Sequence, residues 1–395
     1  MKRAFLLYFV LFLITVSGLK PGLPVFFLTP ILTDADSVSV KYIQRQLCRT
    51  HSFIPSALPS SDAPPKKEDS PSYLDSLLST VSVYAYTGEH ASEGSGIVYS
   101  LTDSPKGAYI VTNYHVIFSK ENSSLHDKIK ISPYALDKRD TLGISAYTVG
   151  VSSTYDIALL WIDLSSYPRL PISAVFFREH DLSQGEEIYS VSNAMGKGLA
   201  VSDGVISVPS EYIYPAAADS NEINNMRVCR ISSPISKGSS GGGVFSKDGY
   251  FIALINAKRN DSDAPCVGYA IPFDSVKAVC DTLIKRGSLY CFIPTVELSS
   301  VGKEFVYTED SFSVREMISV KSSAQNNGSL SLLQGDLLIS VSIKGKEYPI
   351  RHINSLREAL FYAEPDDDLI ISIKRGGVEI SLKKKTVADY FGYIP

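Results

Sequence analysis

From about Thr80 onward the chain sets apolar and polar positions in short alternating runs, each bounded by Gly, Ser, Asp or Pro. β-Branched and aromatic residues with a period of two mark strands that bury one face. Val81–Tyr86, Gly96–Tyr99, Ala108–Thr112, Ile144–Val149 and Ile157–Ile162 form a first series. After Pro168 and Pro171 a second series follows: Glu187–Val191, Leu199–Ile206, Val228–Ile231, Gly243–Phe245, Tyr250–Asn256 and Val267–Ile271. Two series of short, evenly spaced strands predict two antiparallel barrels or sandwiches. Asp274 is placed to cap a helix through Lys285, with Gly287 as its stop.

Beyond Gly287 the texture changes. Leu332–Ser342 is strand-like, Asn354 precedes a helix over Ser355–Tyr362, and Leu369–Lys374 with Val378–Leu382 predicts a hairpin around Arg375-Gly376-Gly377. A small α+β unit fits this pattern. No internal repeat is evident.

The N-terminal pattern is different. Lys2 and Arg3 precede an apolar run from Ala4 to Val16, followed by Ser17 and Gly18, which is the order of a secretory signal. The run is short for a membrane span. A second apolar stretch, Leu23–Leu32, leaves an uncleaved anchor as the alternative. From about Thr33 to Ser72 the chain reads as a tether, with Pro55–Pro71 dense in Pro, Ser, Asp and Lys. The expected organisation is a signal peptide or anchor over 1–22, a disordered tether over 23–73, a barrel unit over 74–286 and the α+β unit over 287–387.

A net charge of −4 without a basic stripe argues against nucleic acid as a partner. Lys383-Lys384-Lys385 reads as a solvated strand end. Five cysteines without C-x-x-C spacing predict no metal site, and no cofactor is expected. Export permits disulfides among Cys229, Cys266, Cys280 and Cys291, and buried free thiols are the equal alternative.

Three local motifs change the picture. Thr112-Asn113-Tyr114-His115-Val116 follows a strand, Asp156-Ile157-Ala158-Leu159 opens one, and Gly238-Ser239-Ser240-Gly241-Gly242 precedes one. A serine hydroxyl is a poor nucleophile until an imidazole takes its proton. A carboxylate on the other ring nitrogen fixes the tautomer, and backbone N–H groups in a Gly-rich turn hold the oxyanion. The candidate catalytic residues are therefore His115, Asp156 and Ser240, with the amides of Gly238 and Ser240 as oxyanion donors. His51, His90, His126, His180 and His352 lie in loop-like contexts and receive no chemistry.

In these motifs the chain resembles the HtrA (DegP/DegS-like) family of serine proteases over about residues 75–385. Gly94-Ser95-Gly96, Ser192–Gly196 with Asp203–Ser207, and Gly268–Pro272 match further family motifs in order. The resemblance implies an all-β, two-barrel trypsin-like protease domain followed by a PDZ-like domain. It also implies unfolded or extended polypeptides as substrates, a periplasmic or envelope-facing location and a homotrimer. By position relative to Ser240, Ile255, Asn256 and Ala257 are expected to line the first substrate pocket. Ser236, Lys237 and Ser239 depart from the family pattern, which motivates a rival reading as a chaperone with a switched-off site. The segments between His115 and Asp156 and between Ile206 and Arg230 are expected to be surface insertions. Arg286–Cys291, where the carboxylate-binding loop is expected, lacks a second glycine.

Overall fold

The computed structural model describes residues 71–395 apart from 137–142, 179–180, 216, 220–223, 259–266, 308–311 and 324–329. The expected signal, the tether up to residue 70, Cys48, Cys266, His51 and His180 lie outside the described residues. Among the described residues no helix is long and apolar enough to cross a membrane.

A short helix, α1 (Tyr73–Leu78), leads into the first barrel. Ser72 caps it: the hydroxyl accepts from Asp75 N–H while the Asp75 carboxylate accepts from Ser72 N–H. The first barrel comprises β1 (Thr80–Thr87), β2 (His90–Asp103), β3 (Lys106–Thr112), β4 (Lys128–Pro133), β5 (Ile144–Ser152) and β6 (Ile157–Asp163). Its strands close in the order β1-β2-β3-β6-β5-β4. The expected strands are present with longer ends. β4 is the addition: part of the segment expected to be a surface insertion instead pairs with β1 and β5 and closes the barrel.

The second barrel comprises β7 (Glu187–Ser192), β8 (Ala200–Ile213), β9 (Met226–Ile231), β10 (Gly243–Ser246), β11 (Phe251–Lys258) and β12 (Gly268–Pro272). It closes in the order β8-β9-β12-β11-β10-β7. Here too β8 runs on to Ile213 and pairs with β9, so that part of the expected insertion is barrel wall. Each barrel has an aliphatic interior, built around Val81, Ile110 and Leu160 in the first and Ile206, Ile231 and Ile252 in the second. A third cluster, including Ile97, Leu159, Tyr189 and Phe245, joins the barrels and packs on Val276, Val279 and Leu283 of α3 (Phe273–Arg286). α3 begins one residue before Asp274, after Pro272, and Gly287 ends it in the left-handed conformation at φ 69°. Cys229, Cys280 and Cys291 are buried free thiols. Burial pushes the Cys229 thiol up to about 12, so it stays protonated and behaves as a small apolar residue.

After α3 come β13 (Leu289–Phe292), β14 (Val296–Tyr307), β15 (Phe312–Ser323), β16 (Leu337–Ile343), β17 (Lys346–Pro349), α4 (Ser355–Leu360), β18 (Asp368–Arg375), β19 (Val378–Lys385) and β20 (Phe391–Ile394). β14-β15-β16-β18-β19 form one sheet with β17 added on β16. The sheet buries Ile318, Val341, Ile371 and Ile373 against Leu356 and Leu360 of α4. The expected hairpin is β18–β19. The expected carboxylate-binding loop is different: its end is strand β13, paired with β20.

A buried ionic cluster fastens this tail unit to the second barrel and α3. Arg227 Nη1 lies 2.9 Å from both oxygens of Asp274, and His352 Nε2 lies 3.3 Å from Asp274 Oδ2. Ser275 Oγ donates to Glu358 Oε1 at 2.8 Å. Burial and the Asp274 charge push Glu358 up to about 7, and burial pushes His352 down to about 4. Burial alone would raise Asp274, but the Arg227 charge outweighs it and holds the carboxyl well below its usual range. His352, expected to lack a partner, belongs to this junction.

Candidate active site

The cleft between the barrels gathers residues from both. His115 sits in the one-turn helix α2 (Tyr114–Ile117) directly after β3, so a rigid strand end aims the ring. Asp156 sits on the turn between β5 and β6 at φ 49°, a conformation that non-glycine residues rarely hold. Several bonds over-determine it. Asn113 Nδ2 and Tyr114 N–H both donate to the Asp156 carbonyl, at 3.0 and 3.2 Å. His115 N–H donates to Asp156 Oδ1 at 2.9 Å, and His115 Nδ1 meets Oδ2 at 2.6 Å.

Electrostatics follow from that contact. Burial alone would lower the His115 pKa, but the charge and hydrogen bond of Asp156 outweigh burial and a smaller opposing effect of Lys120, so it is raised. A more basic imidazole is better suited to accept a proton.

The serine turn is fastened across the barrels by Ser95 of β2. Ser95 N–H donates to the Ser240 carbonyl at 2.7 Å, and Ser95 Oγ donates to the Gly238 carbonyl at 2.8 Å. Gly238 and Gly241 have φ of +87° and +83°. A Cβ at Gly238 would stand 2.3 Å from the Asn193 carbonyl oxygen, and one at Gly241 would stand 2.1 Å from that of Ser95. Only glycine fits at either position. The Lys237 carbonyl accepts Met195 N–H at 2.7 Å. A planar trans peptide therefore directs Gly238 N–H to the side opposite Met195. Lys237, a departure from the family pattern, holds its carbonyl out by this bond.

Ser240 Oγ donates to the Asn256 carbonyl at 3.1 Å, so the hydroxyl must rotate to reach the imidazole. The expected pocket residues lie on β11. Ile255 is 1% exposed and belongs to the second barrel's core. Asn256 turns its side chain onto the Asp156 carboxylate, Nδ2 standing 2.5 Å from Oδ2. The register shift between Ile255 and Ala257 re-aims the chain there, and the backbone of Ala257 pairs with Tyr269. The contacts of Asn113, Ser95 and Asn256 depend on distant partners, although Asn113 and Ser95 stand inside the Thr112–Val116 and Gly94–Gly96 motifs.

A profile of the trypsin-like peptidase domain matches residues 94–254. Serine protease Do-like HtrA of Bacillus subtilis is 28% identical over 328 residues, covering 78% of this chain and 67% of its own length. Serine protease HtrA-like of Staphylococcus epidermidis is 24% identical, covering 74% of this chain and 48% of its own. The chain carries a trypsin-like peptidase domain and is similar over most of its length to HtrA-type serine proteases. The solved structure of the HtrA-type protease AlgW with a tripeptide shares the fold, with a TM-score of 0.51 and 22% identity over 82% of this chain and 99% of that one. The two barrels are thus those of a trypsin-like protease, and the chain is a serine endopeptidase.

Proposed function

We propose that this HtrA-type protease is exported and cleaves misfolded or unfolded proteins in the cell envelope by a Ser-His-Asp relay. The observation that carries the reading is the 2.6 Å contact between His115 Nδ1 and Asp156 Oδ2 beside the glycine-bracketed Ser240. Ser240 Oγ attacks the scissile carbonyl carbon as its proton passes to His115 Nε2. Asp156 holds the ring tautomer, and the amides of Gly238 and Ser240 receive the oxyanion. His115 then protonates the leaving amine, and water repeats the sequence on the acyl-enzyme. An extended substrate on β11 competes for the Asn256 carbonyl with its own N–H groups, which frees the Ser240 hydroxyl to turn to His115.

The reading assigns residues 1–22 to a leader or anchor, 23–73 to a tether, 74–286 to the protease domain and 287–387 to a PDZ-like domain that adds a peptide to a sheet edge. A homotrimer and a membrane tether through the N-terminus belong to the same proposal. The hydrogen bond from Ser240 to Asn256 rather than to His115 favours a second reading, a chaperone whose protease site is off until ligand arrives. Unfolded casein separates the two. Under the first reading wild type degrades it and Ser240→Ala does not. Equal persistence of casein with both proteins, alongside suppression of its aggregation, supports the second.

A further inference from the structure

The last strand reaches the turn that carries Asp156. β20 pairs antiparallel with β13 in the register Leu289↔Ile394, Tyr290↔Tyr393, Cys291↔Gly392 and Phe292↔Phe391. Two strands of this length are marginal alone. Here Tyr290 lies 4.9 Å from Tyr393 and Phe292 5.6 Å from Phe391 between ring centroids, and Ile394 packs against the core between the barrels. Just beyond, the Pro395 carbonyl accepts Ser152 Oγ at 2.8 Å and Thr154 N–H at 3.0 Å. A serine hydroxyl has one proton. Given to Pro395, it leaves a lone pair for Tyr155 N–H, which donates to Ser152 Oγ at 3.3 Å. Both contacts lie in the turn that delivers Asp156 at its strained φ of 49°. Such a conformation costs on the order of 1–3 kcal/mol and persists only where neighbours over-determine it.

We propose that the last strand is a strap that positions Asp156, and through it His115, by holding the Ser152–Tyr155 turn from the far side. The proposal rests on the relay reading of His115, Asp156 and Ser240. It assigns Phe391–Pro395 a positioning role without contact to substrate. It also makes the protease centre sensitive to whatever occupies the edge of β13.

Two variants test it: the chain ended at Val387, and the full chain with Phe391→Ala and Tyr393→Ala, both remote from the cleft. Each is assayed on a fluorogenic peptide for kcat, KM and the acid limb of the pH–rate profile. A misplacement of about 1 Å costs on the order of 10²-fold in rate, so the shortened chain is expected to lose at least about tenfold in kcat with KM nearly unchanged. The acid limb moves to lower pH as His115 loses part of the Asp156 support, and a synthetic peptide of residues 388–395 restores both. The double variant shows the same signs more weakly, and it decides the matter if the shortened chain does not fold. Wild-type kcat and acid limb in the folded shortened chain, or in the double variant should that chain not fold, overturn the strap. Failure of wild type to take a fluorophosphonate on Ser240 overturns the relay reading instead.

Discussion

Asn256 and His115 meet the same oxygen of Asp156: Asn256 Nδ2 stands 2.5 Å and His115 Nδ1 2.6 Å from Oδ2. The carboxylate is held from both sides of the cleft, one partner from each barrel. Asn256→Ala removes one donor while keeping the backbone carbonyl that receives Ser240. The expected result is a fall in kcat of about tenfold, in line with losing a hydrogen bond to a charged group. Asp156→Asn falls much further, by about 10⁴-fold, because the ring loses its tautomer control. Steady-state hydrolysis of a fluorogenic peptide measures both.

The raised pKa of His115 sets the pH dependence. The base acts when neutral, so kcat/KM rises with pH as the ring loses its proton. With the Asp156 contact outweighing burial, the half-point is expected above the ordinary histidine value of 6.5. A pH–rate profile with its acid limb centred below that value contradicts the assigned pairing.

Gly241→Ala tests the serine turn. Its Cβ would meet the Ser95 carbonyl oxygen at 2.1 Å, at a φ of +83°. Backbone strain of this kind costs about 1–3 kcal/mol, and the turn must also shift away from Ser95. Expected are a lower urea midpoint and a loss of activity larger than the loss of stability explains.

The junction cluster predicts a pH-dependent stability. Glu358 is raised to about 7 in the folded chain, so its contribution is full below the ordinary carboxyl value of 4.5 and is lost as pH rises through about 7. His352 is lowered to about 4, so its contribution is full above 6.5 and is lost as pH falls toward 4. Glu358→Gln keeps an acceptor for Ser275 and cannot ionise. It is expected to raise the unfolding midpoint over wild type at pH 8 and to leave it nearly unchanged at pH 4.5, by urea denaturation at both values.

Much of the fold was legible because its strands carry their own alternation. The motifs around His115, Asp156 and Ser240 were legible because each is local. What escaped was set by distant partners. β4, Lys128–Pro133, places Lys128 and Lys130 on its outer face, and its pairing with β1 decides that it closes the barrel. β20 is a strand because β13 lies beside it, about a hundred residues earlier in the chain. The contact of Asn256 with Asp156 depends on a register shift in β11, which no local pattern announces. His352 gains its partner from Asp274, which no local pattern could announce.

In the proposed relay, Ser240 is the nucleophile. Wild type and Ser240→Ala treated with a fluorophosphonate, followed by peptide mapping by mass spectrometry, test it most directly. A single adduct on Ser240 is expected in wild type and none in Ser240→Ala. An unlabelled wild type, or equal labelling of the two proteins, contradicts it.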